Sequence, residues 1–556
     1  MEIQFYGANR YVTGSCTLVT GNGKKILIDC GLPQGNDAKV GGLQLPFNAK
    51  DIDYLLLTHA HIDHSGRIPL LIKDGFRGII FATEATKELC SIMLADSAHI
   101  QESEAQWQNR KAKRSGQPII EPLYTVNDAY QSLSRFETIE YEEKRTISEG
   151  IAIRYQDAGH LLGSALIELW LTEGSETRKL VFSGDIGNLD QPLIKDPVYI
   201  TEADFVIMES TYGNRNHAPL IDEEGDPITS LHRAKELAAI IQRTFDRGGN
   251  VIIPAFSVGR TQELLYLLRI IIEEGLCSET VPVFVDSPLS VKATKVFAGN
   301  LYGYMDEETM ALVNAGINPI LFEGLTPVVD VEDSIALNHR KESCVIISSS
   351  GMCEAGRIKH HLKHNLWRRE CTVIFSGYQA AGTLGRSIYD GARHVTIFGD
   401  QIDIRCEITE LHGTSSHADQ QGLIKWLSSF KGGIQRVFVV HGDEEIAPWF
   451  ASYVQRQLNR DAYAPHFGER FDLLAVESIP IAEPITLTEM PYMKDLASAL
   501  EALHKGENAF SKVLARIKQA AEHTTDEKRS VRLANATRRL ASDLEDLAKK
   551  WNSDAS

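Results

Sequence analysis

The sequence predicts an α/β protein in which a parallel-sheet domain is inserted into a β-rich mixed domain, with a helical extension after both. Three observations predict this. Short apolar runs at residues 25–29, 54–57, 78–82, 151–155, 165–171, 179–183 and 205–208 alternate with turns and a few helical stretches, as in a mixed α/β layer. After residue 212 the texture becomes strand-then-helix, repeated, as parallel pairing requires. Past residue 393 it reverts to β runs at 395–398, 402–411 and 436–440, so the second domain interrupts the first. The expected divisions are 1–210 and 394–479 for the first domain, 211–393 for the insert, and 480–556 for a linker and helices.

Taken in order, the runs at 55–57 and 206–208 are almost wholly apolar and end in His59 and Glu209. Strands buried on both faces read this way, and they deliver side chains at their C-terminal ends. Within the insert, a helical pattern at 231–247 precedes the strand 251–254 and the amphipathic stretch 261–274. Strand 281–285 follows, then 344–348 leading to a helix at 354–366, and 372–375 leading to one at 383–389. Residues 480–491 are rich in Pro and Thr and read as a linker. Residues 493–551 carry helical periodicity; these helices read at least as well as an intramolecular buttress as they do as a surface for a polyanion, a partner or a second copy of the chain in a homodimer.

At 556 residues the chain has room for two to four domains, taking roughly 100–200 residues for each. No stretch approaches the roughly 18–20 apolar residues of a membrane span, and the N-terminus lacks the basic and apolar regions of a signal peptide; the expected location is the cytoplasm, away from membranes. The eight cysteines never come closer than nine positions, which excludes a local CxxC pair and fits free thiols in a reducing compartment. The 57 basic and 75 acidic residues leave a net charge of −18. A chain this acidic does not coat nucleic acid non-specifically, so any polyanion has to be met by a local basic cleft.

The strongest chemical signal is His59-Ala-His61-Ile-Asp63-His64, directly after an apolar run. Spacings of two and three in one loop let imidazoles and a carboxylate converge on two adjacent metal ions. Asp157-Ala-Gly-His160 follows a second strand, and Phe182-Ser-Gly-Asp185-Ile-Gly sets a lone carboxylate between glycines, where it can bridge two cations. Later come Met208-Glu209-Ser-Thr-Tyr212-Gly, Ser415-Ser-His417-Ala-Asp419 and Val440-His441-Gly-Asp443.

This order of motifs resembles the metallo-β-lactamase superfamily, and the later ones resemble its β-CASP nucleases, among them bacterial and archaeal relatives of the endonuclease subunit of the cleavage and polyadenylation specificity factor. The resemblance covers about residues 1–475. It implies a four-layer αβ/βα sandwich carrying an inserted β-CASP domain. It further implies that His59, His61 and His160 hold one zinc ion and Asp63, His64 and His441 a second, with Asp185 bridging. Glu209 would orient His417 to protonate a leaving oxygen, and Asp63 counts with these two among the catalytic groups. A histidine at position 441 marks the RNA-cleaving branch, so the expected activity is a zinc-dependent ribonuclease acting on single-stranded RNA. It would cut internally, with 5′-to-3′ exonucleolytic action as a second mode; zinc is the first expectation and manganese the second. Two other readings stand beside it: a catalytically idle scaffold of an RNA-processing complex, and a non-nuclease metallo-hydrolase.

The chemistry is consistent with that implication. Two divalent ions acidify a water between them and stabilise charge on a phosphoryl oxygen, and a histidine bonded to a carboxylate is a suitable general acid near neutrality. Phosphate contacts are expected where Gly/Ser turns precede helices of the insert. The candidates are Ser257 and Arg260, then Ser350, Gly351 and Arg357, then Arg386, with Arg215 beside the Glu209 motif.

Overall fold

Tyr54–Leu56 is apolar because it lies inside a sheet: Leu55 and Leu56 are fully buried and contribute to two different apolar clusters, one on each face. The computed structural model describes residues 1–479 other than 116–118, 218–228, 279, 381 and 412–414. The linker and helices expected at 480–556 lie outside the described residues.

An eight-stranded sheet runs in the order Glu477–Ile479, Arg470–Asp472, Glu2–Gly7, Cys16–Gly21, Lys24–Ile28, Tyr54–Leu56, Ile79–Ala82 and Phe136–Thr138. A seven-stranded sheet faces it, in the order Ala462–Tyr463, Arg436–Val439, Phe205–Met208, Glu176–Phe182, Ala165–Glu173, Ile151–Asp157 and Lys144–Ser148. Between them lies one apolar layer fed by Ile3, Phe5, Val19 and Leu56 from the first sheet and Tyr155, Ile167, Phe182 and Phe438 from the second. Phe438 meets Phe5 and Phe471 with ring centroids 5.0 and 5.2 Å apart. Each such pair adds about 0.5–1.5 kcal/mol beyond area burial. Helices Ile68–Lys73 and Glu84–Ser115 cover the outer face of the first sheet, and Gln420–Ser428 and Ile446–Leu458 that of the second. This is the αβ/βα sandwich.

A third sheet of six strands, parallel throughout, is built from the chain between those halves: Leu325–Pro327, Val283–Val285, Val345–Ser348, Val251–Pro254, Thr372–Phe375 and Glu407–Glu410. Its last strand lies past residue 393. The single β run read at 402–411 is two strands: Asp400–Asp403 turns back on His394–Ile397, whereas Glu407–Glu410 pairs with Thr372–Phe375. Phe398 and Gly399, both at positive φ, make that reversal, and Arg243 of the helix Ser230–Asp246 and its C-cap residue Arg247 both pair with Glu407. The helix read at 354–366 spans only Ile358–Asn365. Ser350 bonds both ways with Ala355 ahead of it, and Gly356 sits at φ +80, so the first turn is taken by a loop.

Candidate metal centre

Every donor lies just beyond the C-terminal end of a strand. Tyr54–Leu56 leads to His59, His61, Asp63 and His64; Ile151–Asp157 leads to His160; Glu176–Phe182 leads to Asp185; Arg436–Val439 leads to His441. Phe205–Met208, which ends at Glu209, is paired in parallel on both sides, with Glu176–Phe182 and Arg436–Val439. Asp185, Glu209 and His441 therefore emerge side by side. Two glycines permit the backbone approaches this needs: a Cβ on Gly31 would overlap the Asp63 carbonyl, and one on Gly187 the Gly159 carbonyl next to His160.

The donors fall into two sets that share Asp185. His59 Nε2 is 3.0 Å from His61 Nδ1, which is 3.2 Å from His160 Nε2. Asp185 Oδ2 lies 3.4 Å from the His59 nitrogen and 3.5 Å from that of His160. Its other oxygen, Oδ1, lies 3.3 Å from His64 Nε2 and 3.5 Å from His441 Nε2. Those two nitrogens are 3.1 Å apart, and Asp63 Oδ2 is 3.7 Å from His441. Asp63, His64 and His441 converge as one group, and His59, His61, His160 and Asp185 as another.

These residues fit divalent metal. Burial holds His59, His61 and His160 below the usual histidine range, so unprotonated nitrogens face one another. A tetrahedral site with Zn–N bonds of about 2.0–2.1 Å sets its ligand atoms about 3.3 Å apart, close to the spacing seen. Asp185 Oδ1 is buried with no hydrogen bond, a costly state for a carboxylate oxygen unless a cation answers it.

A second layer of contacts fixes the rings. His64 Nδ1 donates to Asp29 at 2.7 Å, and the same carboxylate accepts from the Thr58 N–H at 2.9 Å. His160 Nδ1 donates to the Ser416 carbonyl, and His59 and His441 pair their Nδ1 atoms with the Thr58 and Thr211 hydroxyls, all at 3.1 Å. Partners of this kind set the tautomer and aim of a ligand. Asp29 and His441 both sit at positive φ, 58° and 52°, a backbone cost of about 1–3 kcal/mol apiece that the surrounding contacts must offset. Asp29, Thr211 and Ser416 stand inside runs and motifs that the sequence marks, and Thr58 just before one, but the sequence assigns none of the four a role. Only Asp29, an acid at the end of an apolar strand, carried a signal.

Glu209 is fully buried, takes the Ile186 N–H at 2.6 Å, and lies 3.2 Å from His417 Nδ1. Burial works against a charged His417, but Glu209 overrides it, with help from Asp185 and Asp63, and raises the imidazole to about 9. The ring of His417 lies 4.5 Å from that of His160. Asp419 caps the helix Gln420–Ser428 through the Gly422 N–H and so anchors the segment.

The other predicted residues, Arg215 apart, follow the C-terminal ends of strands of the parallel sheet, where open α/β sheets take ligands. Ser257 faces Ser287, and the Gly351 carbonyl accepts from Gln379. Ser350 is bonded within its own loop. Arg260 is buried and paired with Glu263, Arg357 with Asp286 at 2.7 Å, and Arg386 with Asp390 at 2.8 Å. Arg215 lies between two tyrosine rings. His360, His361 and His364 do not form a metal group among the described residues.

Fold and donor sets together define a metallo-hydrolase architecture of the metallo-β-lactamase type with an inserted parallel domain. Three family models match in order along the chain: the metallo-β-lactamase superfamily over residues 10–85, the Beta-Casp domain over 261–388, and the Zn-dependent metallo-hydrolase RNA specificity domain over 401–465. Ribonuclease TTHA0252 of Thermus thermophilus is 36% identical over 445 residues, covering 80% of this chain and 94% of that protein. Transcription termination factor FttA of Methanocaldococcus jannaschii is 31% identical over 473 residues, 84% of this chain and 70% of its own. An RNase J-like protein of the same organism is 29% identical over 469 residues, 84% and 98%. The chain belongs to the β-CASP family of the metallo-β-lactamase superfamily.

Proposed function

We propose that the chain is a zinc-dependent ribonuclease that hydrolyses phosphodiester bonds of single-stranded RNA, chiefly internally and also in the 5′-to-3′ direction from an end. The observation that carries this reading is the division of donors between the two oxygens of Asp185, with the Glu209–His417 pair alongside. His59, His61 and His160 would hold one ion, Asp63, His64 and His441 the other, with Asp185 between; five imidazoles and two carboxylates suit zinc. When bound, two such ions supply a water of pKa near 7 and positive charge at a phosphoryl oxygen.

The chain's own groups do the rest. Asp63, 19% exposed, is the most open of these two carboxylates and faces the solvent that furnishes the attacking water. His417 Nδ1 donates its hydrogen bond to Glu209, which leaves Nε2 to carry the proton that the departing 3′-oxygen requires. The products are a 5′-phosphate and a 3′-hydroxyl. RNA as substrate is supported by the names of the relatives and by the matched RNA specificity domain.

The test is incubation of zinc-loaded protein with an end-labelled single-stranded RNA and its DNA twin, beside His64→Ala, with mapping of the product ends. RNA-only cleavage that yields 5′-phosphates and disappears in the variant is the expected result. Fully loaded protein that leaves RNA intact would overturn the reading.

A further inference from the structure

In a chain of net charge −18, an arginine side chain that forms no salt bridge and feels only the nearby charge of Asp443 is informative. Of the four arginines that the sequence marks as phosphate contacts, Arg260, Arg357 and Arg386 are spent on Glu263, Asp286 and Asp390. Arg215 is exposed and, among the described residues, its side chain makes no hydrogen bond or ion pair. Its guanidinium is instead held between two rings, 4.1 Å from the centroid of Tyr212 and 4.9 Å from that of Tyr378. Tyr212 follows the Glu209 strand of the sandwich, whereas Tyr378 follows the strand Thr372–Phe375 of the insert.

Stacking fixes the plane of a guanidinium and leaves its N–H edges free, the arrangement that suits a phosphate oxygen pair. The backbone beneath is equally fixed: the Arg215 carbonyl accepts from Gln420, Asn216 accepts from Gln421, and the His217 N–H donates to Asp419. These bonds tie the segment to the helix that starts just after His417. The Tyr212 ring in turn stands edge-on to His417 at 5.8 Å. On the far side, Asn214 lines a cavity of about 620 Å³ that carries Asp37, Asp443, Glu444 and Glu445 against a single arginine, Arg10, which is itself paired with Glu444. That lining repels a phosphate, so a strand crossing the cleft meets a favourable charge at Arg215 and an unfavourable one just beyond it.

We propose that Tyr212, Arg215 and Tyr378 form a phosphate clamp in which Arg215 grips the backbone phosphate next to the one being cut, on the His417 side, using one ring from each domain. The clamp rests on the ribonuclease reading and adds to it a residue that sets where the strand lies relative to the general acid. It also makes RNA affinity depend on the insert through Tyr378.

The test uses zinc-loaded full-length protein, a fluorescent single-stranded RNA and a small bis-aryl phosphodiester. Arg215→Gln is expected to raise KM for RNA about tenfold with little change in kcat, since a contact made equally in ground and transition states is lost. The ratio of RNA to bis-ester kcat/KM falls by the same factor. The slope of log affinity against log salt becomes shallower by about 0.7, one single-strand phosphate contact. Arg215→Lys restores that slope but not KM, because the charge returns without the planar fork. Tyr378→Leu raises KM and Tyr378→Phe restores it. An unchanged salt slope in Arg215→Gln, or equal behaviour of the Leu and Phe variants, would overturn the clamp while leaving the ribonuclease reading intact. Wild-type protein that hydrolyses the bis-ester but neither binds nor cuts RNA would overturn both.

Discussion

Replacing Asp29 by Asn is expected to weaken one metal position and spare the other. The Asp29 side chain is 2% exposed and divides its oxygens: Oδ2 accepts from His64 Nδ1 at 2.7 Å, and Oδ1 accepts from the Thr58 N–H at 2.9 Å. An asparagine offers one carbonyl oxygen, so one of those donors must face an NH2 group. If the oxygen stays with Thr58, His64 either loses its partner or moves its proton to Nε2, the nitrogen that faces Asp185 and His441. A hydrogen bond to a charged group contributes about 1.5–3 kcal/mol, which is roughly 10- to 150-fold in affinity and agrees with the usual effect of such outer partners on a metal site. The loss falls on the position formed by Asp63, His64 and His441. The Thr58 hydroxyl also donates to Asp29, so with the asparagine oxygen on Thr58 the His59, His61 and His160 position keeps its orienting bonds to Thr58 and Ser416. Competition of the two-zinc protein against a graded chelator, followed by calorimetry, resolves the two positions. One ion should leave about ten- to a hundredfold more readily and the other unchanged. Equal loss of both ions, or of neither, would refute the assignment of Asp29 to His64.

Glu209→Gln should cut kcat on RNA by about 10²–10⁴, the range of general acid–base catalysis, with two zinc ions still bound per chain by elemental analysis; loss of metal instead would make Glu209 a ligand. Asp286, which is buried, would be pushed up by burial alone, but bonds from His361, Ser334 and Arg357 hold it below the usual carboxylate range. Its stabilisation is therefore full above the unfolded value of about 3.9 and is lost as pH falls through the lower folded value. Asp286→Asn should lower Tm at pH 7, by up to about 3–5 kcal/mol of stability, and the difference from wild type should shrink on acidification. Gly31→Ala must displace the Asp63 carbonyl, so zinc titration should show a weakened second position.

The loop His59 to His64 is legible in the sequence because all of its donors lie within six positions, and one turn brings them together. His160, Asp185 and His441 become legible only through the order of motifs, since the strands that align them are joined by distant pairings such as Phe205–Met208 with Arg436–Val439. Asp29, Thr211 and the Ser416 carbonyl belong to ordinary residue types, made special by what folds against them. The arginines divide the same way. The Arg260–Glu263 and Arg386–Asp390 pairs stand three and four positions apart on helices and could be read as internal ion pairs. The Arg357–Asp286 pair spans 71 positions and has no local sign. In the fold, most runs that read as strands lie within a few residues of one, but Cys16–Gly21, Phe136–Thr138, Lys144–Ser148, Leu325–Pro327 and Arg470–Asp472 are strands the sequence pattern does not mark, and the run at 402–411 hides a change of sheet. The 32-residue helix Glu84–Ser115 leaves little sign in the sequence because its second half lacks a continuous apolar stripe.

The insert also separates the donors in time. On the proposed assignment, His59, His61, His160 and Asp185 have all been synthesised by residue 185, whereas His417 and His441 come after the whole parallel domain. At about 5–20 residues per second, the interval between His160 and His441 lasts roughly 15–55 s. A nascent chain can thus complete its first donor set early, yet it holds neither the second set nor the general acid until the insert has left the ribosome.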